Sequence, residues 1–362
     1  MSGGVDSSVA AHLLMEEGHE VVGVFMRHGE SDVTCETGIG VQDSALPILP
    51  GPDHKQGCCS ATDAEDGRRV ADRLGIPFYA LNLQDQFSEI MEYFVEEYVH
   101  GRTPNPCIVC NNWLKFGKLF DYADSIDAQY VATGHYARLI RDSSGVPQLF
   151  RGVDGDKDQS YVLFGVARER LNRMLLPVGG FAKPEIRDMA ARLDMRVAEK
   201  KDSQEICFVS AGKHAKFVQD RKGEMETTGN IVTSDGTVVG THDGIERFTI
   251  GQRRGIGVAM GEPYFVVKID PDTNDVVIGR HEEMNRQMLR ANRINWLVDA
   301  PAGEFTCLAQ IRYNSKAWPA VARLVGDDEI EVNFERVCTG VAPGQAVVLY
   351  DKDKVLGGGW IL

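Results

Sequence analysis

Hydrophobic residues near the start of the chain fall first at helical spacing, then in short unbroken runs, then at helical spacing again. From Ser8 to Met15, Val9, Ala10, Leu13 and Leu14 share one side of a helix that Gly18 ends. Val21-Val22-Gly23-Val24-Phe25-Met26 is almost wholly apolar, the pattern of a parallel strand covered on both faces. A helix carrying Val70, Ala71 and Leu74 stops at Gly75, and Phe78 to Leu83 reads as the next strand. Phe87, Ile90, Met91, Phe94 and Tyr98 line one side of a further helix. Gln129 to Thr133 reads as a strand ending at Gly134-His135, and Pro184 opens a helix with Ile186, Met189, Ala190 and Leu193 inward. This alternation predicts an α/β fold with a doubly wound parallel sheet, its ligands at the carboxyl ends of the strands.

Residues 28–57 interrupt the pattern. Gly, Asp, Pro and Ser dominate there and neither period is visible, so the stretch reads as a surface insertion. From about Phe208 the texture changes again. Gly-rich turns separate short strands at Tyr264 to Ile269, Asp275 to Ile278, Thr306 to Tyr313, Ala320 to Val325, Glu329 to Phe334 and Ala346 to Tyr350. We therefore expect a first domain over 1–205, a small linking domain over 206–280 and a C-terminal β-barrel over 281–362.

A length of 362 residues suits several cores, and 43% hydrophobic with 25% charged residues is ordinary globular composition. Disordered, collagen-like and disulfide-scaffold proteins are excluded. The N-terminus lacks a basic segment followed by an apolar one, and no apolar run approaches the ~20 residues of a membrane span. The expectation is a cytoplasmic protein with no membrane partner. Charge changes the picture more. With 39 basic and 53 acidic residues the net is −14, so any nucleic acid must be gripped through local patches and shape, with marked salt sensitivity.

Candidate chemistry begins at Ser2-Gly3-Gly4-Val5-Asp6-Ser7-Ser8, which runs directly into a helix. Two glycines let consecutive N–H groups converge on an anion, and the helix N-terminus adds positive partial charge. Asp6 would help hold Mg²⁺ or orient the loop. No Gly-Lys-Ser/Thr follows, so this is not a Walker A loop. The competing reading, a flexible Gly/Ser terminus with a good cap, is weakened by the strand-helix alternation that follows. Of eight cysteines, Cys107 and Cys110 form a Cys-x-x-Cys in a Pro-rich segment expected to be an exposed loop, and Cys207 follows Lys200-Lys201-Asp202. Three readings stay open: a zinc site completed by Cys58-Cys59 or His135, inert buried thiols, and redox or sulfur-transfer chemistry. Cys35, Cys58 and Cys59 sit in or beside the insertion and read as incidental. Cys307 and Cys338 fall in strand-like segments and should be buried.

Ser-Gly-Gly-x-Asp-Ser resembles the pyrophosphate loop of the ATP pyrophosphatases, whose fold is adenine nucleotide alpha hydrolase-like and which adenylate a carbonyl-type oxygen. Gly23 to Met26, Ala132-Thr133-Gly134-His135, Lys157-Asp158-Gln159-Ser160-Tyr161, Thr103 to Asn111, Lys201 to Phe208, Gly251-Gln252-Arg253-Arg254-Gly255 and Leu356 to Ile361 extend the likeness. In this order they resemble the tRNA-specific 2-thiouridylase (MnmA) family over nearly the whole chain.

The resemblance implies a tRNA-uridine 2-sulfurtransferase acting on the wobble uridine, with ATP and Mg²⁺ as cofactors. ATP would bind at Met1, Ser2, Gly3, Gly4, Val5, Asp6 and Ser7, with Met26 and Gly134 at the adenosine end. Cys110 matches the family's nucleophile and Cys207 its persulfide carrier, a pair left as a disulfide after sulfur release; Lys200 and Lys201 would depress the Cys207 pKa. Asn105, Pro106 and Cys107 correspond to the segment at the target base, and His135, Lys157, Asp158, Gln159, Arg312, Tyr313 and Gln345 to tRNA contacts. Cys107 stands where some members carry aspartate, so Cys107, Cys110 and Cys207 also make the ligand set of a [4Fe–4S] cluster with one open iron. The implied partners are the tRNA anticodon stem-loop and a sulfur-donor protein, a cysteine desulfurase or a sulfur carrier. The alternatives are another ATP pyrophosphatase acting on a small molecule and a non-catalytic RNA- or Fe–S-binding homologue. In the family a strand precedes the loop, whereas here Met1 directly precedes Ser2, so a start upstream of Met1 is expected.

Overall fold

The structure, a computed structural model, describes residues 1–27, 61–202, 206–209, 212–223, 225–326 and 328–362. The expected insertion 28–57, with Cys35, Cys58 and Cys59, lies outside the described residues.

The first domain opens with α1 (Val5–Glu16), β1 (Gly23–Arg27), α2 (Ala61–Leu74), β2 (Phe78–Asn82) and α3 (Gln84–Val99). It continues through α4 (Pro106–Cys110), a π-helix over Asn111–Lys118 and α5 (Leu119–Ser125) to β3 (Val131–Ala132), β4 (Ala137–Arg141) and β5 (Pro147–Arg151). After β6 (Met174–Leu175) comes α6 (Lys183–Arg192). α1 forms because Val5, Val9 and Ala10 meet Val70, Val178, Ile186 and Ala190 in one core. Each such aliphatic side chain contributes about 1.5–3 kcal/mol on burial. β1 pairs with β2 in parallel from Gly23↔Phe78 to Arg27↔Asn82, and β3 pairs with β6 in parallel. Among the described residues no hydrogen-bonded strand joins the two pairs. Met1 lies along β1, its backbone nitrogen on the Val24 carbonyl.

α7 (His214–Gln219) leads to a four-stranded sheet of β7 (Gly229–Thr233), β8 (Val238–His242), β9 (Phe265–Asp270) and β10 (Asp275–Gly279), ordered β8-β7-β10-β9. Ile231, Val266, Val276 and Ile278 form its core. The last domain comprises β11 (Asn285–Trp296), β12 (Glu304–Gln310), β13 (Trp318–Leu324), β14 (Glu329–Thr339), β15 (Ala346–Asp351) and β16 (Lys354–Ile361). Their order is β11-β14-β13-β12-β15-β16, and β16 pairs back onto β11, so six strands close the expected barrel. The Gly357-Gly358-Gly359 run lets β16 press inward. A Cβ at Gly358 would lie 2.5 Å from the Val347 carbonyl oxygen and 2.8 Å from the Phe164 ring.

Several contacts join the barrel to the first domain, through a shared core and hydrogen bonds such as Tyr161 Oη to the Ala346 carbonyl at 2.9 Å. The β4–β5 hairpin extends the barrel sheet through Phe150↔Lys354. Gln345 donates from Nε2 to the carbonyls of Thr103 and Pro104, at 3.0 and 3.1 Å. The strand expected over Thr306 to Tyr313 stops at Gln310, because the Gln310 amide turns the chain by donating to the Arg312 and Tyr313 carbonyls.

Candidate active site

The glycines of the opening loop are demanded by their neighbours. Gly3 has φ +67° and its α-carbon faces the Asp63 backbone of α2, where a side chain has no room. Gly4 is extended (φ −100°, ψ 163°) and caps α1 without any side chain to offer its first-turn N–H groups. The serines knit the turn: Ser2 N donates to Ser7 Oγ at 3.1 Å, and Ser8 Oγ donates to the Gly4 carbonyl at 2.8 Å. Gly134 completes the enclosure. A Cβ there would stand 2.7 Å from both the Asp6 carbonyl carbon and the Ser7 nitrogen, so Gly134 is seated directly against the loop. Met26 sits at the carboxyl end of β1. Met1 to Ser7 and Gly134 are thus brought together by α1, α2 and the turn after β3.

Asp6 was given two roles, and the geometry supplies the orienting one. Lys183 Nζ donates to both carboxylate oxygens at 2.8 Å, and the Tyr136 hydroxyl donates to Oδ1 at 2.6 Å. Burial and that bond to Asp6 push the Tyr136 phenol up. Lys183 is itself buried and also pairs with Asp202 at 2.9 Å. Asp202 further accepts from Lys157 at 2.8 Å and Arg187 at 2.9 Å. Burial alone would raise the Asp202 carboxyl, but hydrogen bonds from Lys157 and Lys183 outweigh it and hold it near 2.

Lys200, expected to act on Cys207, donates to the Gly3 carbonyl (2.9 Å), Asp63 (2.6 Å) and Asp66 (2.7 Å). Lys183, Tyr136 and the ion pairs of Asp202 were missed in the sequence; the only signals were Lys183 beside the helix-opening Pro184 and Asp202 inside the Lys201 to Phe208 motif.

The Cys-x-x-Cys is helical rather than looped. Asn105 Oδ1 accepts from Ile108 N at 3.4 Å as N-cap, and Pro106, buried, opens α4 at the position where its missing N–H costs nothing. Cys107 is exposed on this helix, while Cys110 is half-buried. Cys110 and Cys207, 97 residues apart in sequence (207 − 110), pack on one apolar cluster of Phe87, Ile90, Val109 and Leu114, joined by Trp360 of β16. Cys107 is close enough to Tyr313 for its charge to act on that phenol. Among the described residues no three His, Cys, Asp or Glu side chains gather to hold a metal ion. Cys58 and Cys59, the expected completing zinc ligands, lie outside the described residues. His135, the other zinc candidate, is buried and hydrogen-bonded through Nδ1 to Thr133 at 2.8 Å, and burial holds its pKa well below the usual range. Cys307 and Cys338 are buried as expected, and burial pushes the Cys307 thiol up to about 12.

Directly after Cys110 the chain widens into the π-helix, a form that recurs at functional sites, with Phe116 off helical geometry (φ −115°, ψ 16°). Arg170 steadies it by donating to the Phe116 and Gly117 carbonyls at 2.7 and 3.1 Å. Nothing in the sequence signalled this widening.

The expected RNA contacts divide into open and committed side chains. Lys157 is half-buried but reachable, and Tyr313 is 41% exposed in the turn after β12. Asp158 instead accepts from Arg151 (2.7 Å), Gly152 N, Ser160 N and Ser160 Oγ (each 3.0 Å). Gln159 and Tyr136 exchange two bonds, Tyr136 N to Gln159 Oε1 at 2.9 Å and Gln159 N to the Tyr136 carbonyl at 2.8 Å. Arg312 donates to the Ile250 carbonyl at 3.0 Å, and burial lowers its pKa. His135 is buried, and Gln345 donates to the Thr103 and Pro104 carbonyls. Cys107 and Tyr313 are exposed, and Lys157, half-buried, is paired with Asp202.

Comparison with known proteins divides the chain in three. Residues 1–211 match the tRNA methyl transferase HUP domain, 215–280 the tRNA methyl transferase PRC-barrel domain and 286–361 the Aminomethyltransferase beta-barrel domain. A protein of Rhodopirellula baltica named tRNA-specific 2-thiouridylase MnmA is 56% identical, over 100% of this chain and 94% of its own length. Proteins of the same name from Carboxydothermus hydrogenoformans and Clostridioides difficile are 46% and 41% identical, each over 100% of this chain and 96% of their own. Among the described residues no helix is long and apolar enough to cross a membrane.

Proposed function

The chain belongs to the tRNA-specific 2-thiouridylase (MnmA) family, and from that premise we propose that it thiolates C2 of the wobble uridine of tRNA at the expense of ATP. The observation that carries the proposal is the convergence of Cys110 and Cys207 on one apolar cluster, in the domain that also holds the glycine-walled loop of Met1 to Ser7.

A uracil C2 carbonyl is a poor electrophile. With the triphosphate on the loop and the α1 N-terminus, and Met26 and Gly134 at the adenosine end, the uracil O2 attacks the α-phosphorus. Pyrophosphate leaves, the N3 proton is released, and O2 becomes part of an AMP leaving group. Magnesium would arrive on the triphosphate, since Asp6 is committed to Lys183 and Tyr136. Sulfur reaches Cys207 as a persulfide from a donor protein, a desulfurase or a carrier. The Cys110 thiolate attacks the inner sulfur, a Cys110–Cys207 disulfide forms, and hydrosulfide is freed. Hydrosulfide adds to C2, returns a proton to N3 and expels AMP, leaving C=S. Two electrons from a thiol reductant then restore both cysteines. Lys157, Cys107 and Tyr313 face the anticodon loop, where a ring stacks an unpaired base and a lysine meets phosphate.

The test is a reaction of the protein with ATP, unmodified tRNA and a persulfide donor, read as pyrophosphate and as 2-thiouridine by mass spectrometry. Pyrophosphate release should require tRNA, and Cys110→Ser or Cys207→Ser should abolish thiouridine. Release that ignores tRNA, with serine variants fully active, would return the small-molecule reading. A protein that releases no pyrophosphate under any condition would be the non-catalytic homologue.

A further inference from the structure

The segment that leads to Cys207 is held at Ala198, Lys200 and Asp202, by α6 and, through Lys200, by the phosphate loop. Arg187 of α6 donates to the carbonyls of Ala198 (2.6 Å) and Lys200 (3.0 Å), and Lys200 Nζ reaches the Gly3 carbonyl. At the far end Asp202 meets Lys183, which also holds both oxygens of Asp6, and Lys157. One carboxylate therefore joins three parts of the proposed reaction: the loop, the RNA side and the sulfur arm. Asp202 and Cys207 are five residues apart, so anchoring the first confines the second to within about 17 Å of it by chain length alone.

We propose that Asp202 is a positioning residue for sulfur delivery, holding the Cys207 arm in register with Cys110 by tying it to Lys183 and Lys157. The idea rests on the proposed function, in which Cys207 carries the persulfide. Among the described residues Lys157, Lys183 and Arg187 face Asp202; on the carboxylate side Asp6 pairs with Lys183 at 2.8 Å, and Asp154 accepts from the Lys183 backbone nitrogen at 2.9 Å. Amide replacement keeps the shape of Asp202 but removes the charge that gathers these groups. The arm then explores more arrangements, and the intramolecular attack of Cys110 on the persulfide loses its effective concentration.

The experiment compares two sulfur sources on the same enzyme and tRNA: persulfidated Cys207, and free sodium hydrosulfide, which needs no arm. The measured quantity is the ratio of the persulfide-driven to the hydrosulfide-driven thiolation rate. In Asp202→Asn the ratio should fall more than fivefold, and in Lys157→Met, which removes one partner from a half-exposed position, about threefold. A fall of fivefold or less in Asp202→Asn, with both rates declining together, makes Asp202 a structural ion-pair partner and overturns the proposal. Cys207→Ser must silence the persulfide arm. If it does not, the carrier role of Cys207 fails, whatever Asp202 does.

Discussion

Gly134→Ala probes the proposed ATP site with the smallest change available. The new methyl would lie 2.7 Å from the Asp6 carbonyl carbon and the Ser7 nitrogen, and 2.9 Å from the Asp6 Cβ. Two of these are backbone atoms, so no rotamer change relieves the contact. Restoring ordinary packing near 3.4 Å requires the loop to retreat by about 0.7 Å. An N–H···O bond of about 2.9 Å to a phosphate then stretches to about 3.6 Å, where it no longer counts as a hydrogen bond. Each bond to a charged group contributes about 1.5–3 kcal/mol, so losing two at the lower figure costs about 3 kcal/mol, or roughly 150-fold.

The assay is tRNA-dependent pyrophosphate release against ATP concentration, with the thermal melt recorded beside it. We expect KM for ATP to rise at least 100-fold in a protein that still folds. Gly180→Ala, where an added methyl meets nothing within 4 Å, is the matched control and should leave KM unchanged. A folded Gly134→Ala enzyme with KM within fivefold of wild type would refute the assignment of the loop to the triphosphate.

Three further outcomes follow from the site. Asp202 is held near 2 against an ordinary value of 3.8, so its charge stabilises the fold above pH 4 and the contribution is lost as the pH falls toward 2. Urea unfolding should find Asp202→Asn weaker than wild type by about 2 kcal/mol at pH 7 and by roughly half that at pH 3; a gap independent of pH would contradict this. Gln345→Ala deprives the Thr103 and Pro104 carbonyls of their donor, and should cost about 1–2 kcal/mol in a denaturant melt. Its kcat should fall more than its KM for ATP, because the lost bonds support the entry to α4. Tyr313→Ala should weaken tRNA binding by about 1–2 kcal/mol in filter binding at fixed salt, whereas Tyr313→Phe, which keeps the stacking face, should bind like wild type.

Where local pattern and tertiary burial agree, elements could be read directly from the residues. The stripe of Phe87, Ile90, Phe94 and Tyr98 is the buried face of α3, and the apolar run at Gly23 to Met26 lies within β1. β11 was missed because few of its twelve residues are buried, so no two-residue period shows in Asn285–Trp296. β16 was missed because three consecutive glycines imitate a loop, although they answer the closeness of Phe164 and Val347. Pro104 and Pro106 suggested a loop at the cysteines, yet a proline at the first helical position starts a helix as readily as it ends one. At the site, motif residues were legible as a set but their division of labour was not. Arg312 and Gln345, read as RNA ligands, also donate to backbone carbonyls, which no local pattern announced. The Asp6–Lys183 pair spans 177 positions, and no local signal reports a bond of that range.

The charge balance around the loop explains why composition said so little about the anions this protein is proposed to handle. Lys157, Lys183, Arg187 and Lys200 are each ion-paired with Asp6, Asp63, Asp66 or Asp202, so these four cations are largely offset before any phosphate enters. Attraction for a triphosphate must then come from oriented backbone N–H groups at the turn and the α1 N-terminus, which carry partial charge without needing a counter-ion. Such groups bind by position, and a fraction of an ångström decides between holding and not holding. That is why glycines at 3 and 134, rather than any lysine, are the residues with no room to change. Offset side-chain charge also suits the proposed reaction, which releases two anions, pyrophosphate and then AMP, in each turnover. A surplus of fixed positive charge would strengthen substrate and product binding alike, and would slow the step at which the site is cleared.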